Sequence, residues 1–152
     1  MKLKRAKRFF LCAGCFALLL ITWVIAVNSK SPLKAQQELM EQAAALMKDG
    51  IYVRAVPLLE EAANYSTPYT AQVEEALKEA YLELLDTSGY KRRYTNLLDE
   101  QLRRADAHPD IFAEAANYYI SISKTQGALE ILRSGIAKTG SEDLIELYEM
   151  NR

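Results

Sequence analysis

Apart from Cys12 and Cys15 the chain contains no cysteine, and His108 is its only histidine. Both cysteines lie in one apolar stretch, so the rest of the chain can build neither a disulfide nor a thiolate metal site. A Cys-x-x-Cys inside such a stretch reads as small packing surface rather than redox chemistry. One histidine among scattered carboxylates offers no nucleophile–base pair, and no glycine-rich phosphate loop or Ser/His/Asp grouping occurs. The expectation is a protein without catalysis, cofactor or metal, and no small-molecule substrate is evident. Strand signals are missing too: no segment alternates polar and apolar residues with a period of two.

Charge is absent from Phe9 to Val27, while Lys or Arg stands at positions 2, 4, 5, 7 and 8. As a helix this stretch would span roughly 28 Å, close to the ~30 Å hydrocarbon core of a bilayer. An uncharged helix that is apolar on every face has no use in water. We therefore expect a basic cytoplasmic segment at 1–8, a transmembrane signal-anchor at 9–27 and a polar hinge at 28–32. A cleaved secretory signal is the alternative, with a fair cleavage site at Ala26-Val27-Asn28-Ser29-Lys30. A lipoprotein signal around Cys12-Ala13-Gly14-Cys15 fits less well. The flanking charges orient the segment, placing the N-terminus in the cytoplasm and the remainder outside a cell membrane crossed once.

All 20 acidic residues follow the stretch, with 14 of the 19 basic ones, leaving this part at −6 where the whole chain stands at −1. Such a domain gains nothing from a phosphate backbone, which argues against nucleic acid as a partner. Its length, from 33 to 152, suffices for one domain with a core of its own.

Within that domain, apolar residues recur at helical spacing. Ser31 caps a helix from Leu33 to Lys48 that carries Pro32 at its start, and Asp49-Gly50 stops it. Further helices are expected over Tyr52–Asn64, Thr70–Leu85, Tyr90–Asp106, Asp110–Ser123 and Thr125–Lys138, with a last amphipathic one from Glu142 capped by Ser141. Pro57 sits awkwardly in the second, past its first turn. Asn64-Tyr65-Ser66 has the form of a glycosylation acceptor, a triplet common by chance. Lys91-Arg92-Arg93 and Arg103-Arg104 read as a solvated basic face near Asp99, Glu100 and Asp106; docking on anionic lipid or an acidic partner is the other use of such a stripe. Tyr65, Tyr69, Tyr81, Tyr90, Tyr94, Tyr118 and Tyr119 read chiefly as packing between helices.

The helices pair, and the pairs repeat. Ala55, Tyr94 and Ala128 occupy matching places, at spacings of 39 and 34 residues. A period near 34 with paired helices resembles the tetratricopeptide-repeat family over roughly residues 33 to 150. The first repeat carries the likeness through Leu39, Ala43, Leu46, Gly50, Tyr52, Ala55, Leu59 and Ala62, and the third through Phe112, Ala116, Tyr119, Ala128, Leu132 and Gly135. The second departs from it, with about five extra residues and Tyr94 where the family prefers a small one. The fold expected is all-α: a transmembrane helix, then an α-solenoid of about three helix pairs, closed by a helix bearing Leu144, Ile145, Leu147 and Tyr148. Another paired-helix solenoid and a plain helical bundle are the alternatives.

The resemblance implies a protein or peptide partner held in a concave groove lined by the first helix of each pair. Carried onto this sequence, that groove would include Met40, Ala44, Met47, Glu75, Glu79, Asp110, Glu114, Asn117 and Ile120. The family's clamp for a C-terminal carboxylate is missing, because acidic and apolar residues stand where cations would be needed. The groove would suit a basic or apolar segment. The function expected is a membrane-anchored scaffold or adaptor displayed outside the cytoplasm, touching the bilayer through residues 9–27. The alternatives are an anchor-and-spacer region of a larger surface protein, for example one continuing into WG-type β repeats, and a secreted helical-repeat protein.

Overall fold

Ser31 and Pro32 open the first helix as the sequence requires: the Ser31 hydroxyl accepts the Lys34 N–H at 3.3 Å, and Pro32 fills the position where no N–H is needed. The structure, a computed structural model, describes residues 31–104 and 106–152. The basic segment, the apolar stretch with its cysteines, and residues 28–30 of the hinge lie outside the described residues. Among the described residues no helix is long and apolar enough to cross a membrane.

Seven α-helices and no strand make up the described chain: α1 (Pro32–Lys48), α2 (Tyr52–Ala62), α3 (Thr70–Glu83), α4 (Tyr90–Arg103), α5 (Pro109–Ser121), α6 (Thr125–Thr139) and α7 (Glu142–Asn151). Four helices end two or three residues earlier than the periodicity suggests, at Ala62, Glu83, Arg103 and Ser121. Pro57 lies inside α2 after all. It is exposed, so the bond its nitrogen cannot donate falls on the solvent side of the helix. Gly140, at φ +66°, ends α6. Ser141 takes the cap position of α7 but its hydroxyl makes no capping bond; Glu142 and Asp143 in the first turn suit that helix end instead.

The chain divides into two compact units between Leu77 and Lys78. In the first, α1 packs on α2, with Ala43, Ala55, Val56, Leu59 and Ala62 at the centre. In the second, α6 packs on both α5 and α7 around Phe112, Ala116, Ala128, Leu132 and Leu144. Burying each Leu there contributes about 1.5–3 kcal/mol.

The internal correspondence runs residue by residue. Leu39 matches Phe112, Ala43 matches Ala116, Ala55 matches Ala128, Leu59 matches Leu132 and Ala62 matches Gly135, all at one constant offset. In both pairs the second helix buries the same three places. The turns match as well. Gly50 (φ +73°) donates to the Met47 carbonyl at 2.9 Å and Ile51 to that of Leu46 at 2.8 Å. Ser123 (φ +61°) repeats this with Ile120 at 2.9 Å, and Lys124 with Tyr119 at 2.8 Å.

The middle helices break the rule, and the side chains say why. In α4 the corresponding buried places hold Tyr94, Leu98 and Gln101. Small residues at the outer two let a second helix approach its partner closely; Tyr and Gln cannot. Within the second unit, the rings of Tyr81 on α3 and Tyr90 on α4 stand 6.1 Å apart.

Candidate functional site

Where Gly127 replaces a larger residue, the ring of Tyr119 can lie against the backbone of α6. A Cβ added at Gly127 would sit 2.9 Å from Tyr119 Cδ1. This contact forms one wall of a cleft of about 320 Å³ in the second unit, lined by Asp99 and Leu102 from α4, Phe112 and Tyr119 from α5, and Gly127, Glu130, Ile131 and Ser134 from α6. Its floor is apolar or aromatic and its acidic groups come from two different helices. The volume lies at the lower end of the range for ligand pockets, about 300–1,000 Å³.

Electrostatically the cleft is one-sided. Neither Asp99 nor Glu130 is ion-paired among the described residues. Burial, and after it the negative charge of Asp99 and the neighbouring Tyr118, hold the Tyr119 phenol above its ordinary value of 10.0. Lys138 donates to the Leu102 carbonyl at 3.0 Å and lies over the Phe112 ring; Arg133 donates twice to the Tyr148 hydroxyl, at 2.9 and 2.7 Å. Lys124 stands 5.7 Å from the centroid of the Tyr119 ring.

A second concavity, about 460 Å³, occupies the corresponding place in the first unit. Leu46, Arg54, Pro57 and Leu58 line it where the second unit has Tyr119, Gly127, Glu130 and Ile131. The architecture is shared and the chemistry is not: Arg54 and Asp49 give mixed charge in the first unit, whereas the charged residues lining the other cleft are both acidic.

The residues expected in a groove fall elsewhere. Met40, Ala44 and Met47 follow one another along α1, half-buried, exposed and half-buried. Asp110, Asn117 and Ile120 lie along α5; Glu75 and Glu79 are exposed on α3, in different units. None of them lines the clefts above. Glu114 departs from its expected role. Its carboxylate takes the Lys78 ammonium at 2.5 Å and the Tyr94 hydroxyl at 3.1 Å, so its charge is spent inside the second unit. Glu114 is a structural acid here, not a free groove carboxylate.

Two features escaped the sequence. Gln36, fully buried, donates to the carbonyls of Ala62 at 2.9 Å and Tyr65 at 3.1 Å and accepts from the Thr67 hydroxyl, tying α1 to the loop after α2. Nothing in the sequence separates this glutamine from Gln37 beside it. That Asp99 and Glu130 line one cleft escaped because the two carboxylates come from different helix pairs. The tyrosines behave as read: Tyr81, Tyr94 and Tyr118 are buried, and Tyr94 meets Tyr118 edge-on at 4.7 Å. The basic residues of α4 are exposed, with Arg93 over the ring of Tyr90 at 5.3 Å.

No family model, no curated protein and no solved structure matches the chain. The internal correspondence between the first and third helix pairs therefore rests on this chain alone.

Proposed function

We propose that the protein is a membrane-tethered interaction module: a helical-repeat domain of tetratricopeptide type, held at the outer face of a membrane by residues 9–27, that binds another protein and catalyses nothing. The observation carrying this is the cleft of the second unit, lined by apolar and aromatic residues together with two carboxylates. An exposed cleft of that kind is how a repeat scaffold recognises a segment of another chain. Tethering adds to it by raising the effective concentration of a partner in the same membrane. The −6 charge of the tethered part supports a protein partner over a nucleic acid.

The test uses the full chain in detergent micelles, probed with an array of random short peptides beside an Ile131→Arg variant. Ile131 is half-buried in the cleft wall, so arginine there blocks the floor while most of its stem can reach solvent. A set of peptides retained by the parent and released by the variant is expected. An array that binds neither protein, or both equally, contradicts the reading. Protease added to intact cells, cutting the domain without lysis, checks its side of the membrane.

A further inference from the structure

We propose that the second-unit cleft seats a lysine or arginine side chain of an extended partner peptide, with an aliphatic neighbour lying against Leu102 and Ile131. This rests on the reading of the chain as an interaction module and adds the chemistry of what it holds.

Charge complementarity carries the assignment. The charged groups lining the cleft are both carboxylates, Asp99 and Glu130, and neither is ion-paired among the described residues. Lys138 and Arg133 bond to neutral oxygens and not to these carboxylates: Lys138 to the Leu102 carbonyl, Arg133 to the Tyr148 hydroxyl. A long cationic side chain satisfies both parts of such a site, its methylene stem on the apolar floor and its head at the carboxylates. An acidic segment would meet like charge, and a purely apolar one would leave the carboxylates facing hydrocarbon. The matching cleft of the first unit lacks this character, because Arg54 lines it. Lys124, 5.7 Å from the Tyr119 ring centroid, and Lys138, 5.5 Å from that of Phe112, stand against cleft-lining rings and would compete with an incoming cation. That gives the proposal a signature that a nonspecific sticky patch would not share.

The experiment measures fluorescence anisotropy of three labelled peptides against the full chain in detergent. One peptide has a central lysine between leucines; the others replace that lysine by norleucine or by glutamate. The lysine peptide is expected to bind about tenfold or more tighter than the norleucine one at low salt, with the preference shrinking as salt is added. Asp99→Asn with Glu130→Gln should erase the preference, while Lys124→Ala should strengthen lysine-peptide binding several-fold. Equal binding of the lysine and norleucine peptides, or a preference untouched by the double variant, overturns the proposal. If the norleucine or glutamate peptide binds best and Ile131→Arg releases it, the cation is wrong and the interaction module stands. If no peptide binds and Ile131→Arg changes nothing, both fall.

Discussion

Lys78, 6% exposed, places its ammonium 2.5 Å from the Glu114 carboxylate, which also accepts the Tyr94 hydroxyl. The pair is lopsided, since the Glu114 side chain keeps 31% of its exposure. Removing the acid takes a charged partner from a buried cation; removing the base leaves an acid that still reaches water and Tyr94. We therefore expect Glu114→Ala to lower stability by about 2–4 kcal/mol and Lys78→Met by distinctly less. The double variant should recover part of the loss. Urea denaturation of the four proteins reads the difference, and equal losses in the two single variants would contradict it.

Gln36 makes a matching prediction in the first unit. Its amide nitrogen serves two carbonyls, Ala62 and Tyr65, in a fully buried place. Gln36→Leu should cost about 2–3 kcal/mol by leaving those carbonyls unserved. Gln36→Glu should cost at least as much, because a carboxylate has nothing to donate and faces two carbonyl oxygens. Thermal melting of both variants decides it.

These two residues show where a sequence is mute. The first helix and its stop were legible at Pro32 and Gly50, because such residues fix φ, remove a donor or permit a left-handed turn. The repeat was legible in Ala55, Leu59, Ala62 and their partners Ala128, Leu132, Gly135. Ser123 was not: it holds the left-handed place of Gly50 with a residue that gives no sign of it. The early helix ends were hidden for the same reason, since amphipathic spacing continues past the last hydrogen-bonded turn. Nor was the ion pair legible that Glu114, an expected groove residue, makes with Lys78 from a different helix. A pairing across helices leaves no local pattern to read.

Two glycines of α6 should respond differently to alanine. At Gly135 a Cβ would meet Phe112 Cγ at 2.7 Å, Phe112 Cβ at 2.8 Å and Leu144 Cδ1 at 2.8 Å, inside the core. Gly135→Ala should cost about 1–3 kcal/mol. At Gly127 the new atom meets only the edge of the half-buried Tyr119 ring, which can tilt away. Gly127→Ala should change stability less and peptide binding more. A calorimetric melt and the anisotropy assay separate the two effects.

The Tyr119 phenol gives a pH dependence. Burial, then Asp99, then Tyr118 raise it above 10.0, so the folded chain holds this proton more tightly than the unfolded one. Its contribution to stability is complete below pH 10.0 and is lost as pH rises through the folded value. Tyr119→Phe should flatten that alkaline decline. Asp99→Asn should bring the phenol down toward its ordinary value, seen by ultraviolet titration of the tyrosinates. An unchanged titration would remove Asp99 from the field acting on Tyr119.

The most direct measurement is photo-crosslinking in intact cells, with the reactive group placed at Ser134 in the cleft or at Asp110 on α5. We expect a discrete adduct from Ser134 that disappears when Ile131→Arg is added, and no adduct from Asp110 with that sensitivity. An adduct arising only from Asp110, or one from Ser134 indifferent to Ile131→Arg, would contradict recognition through this cleft.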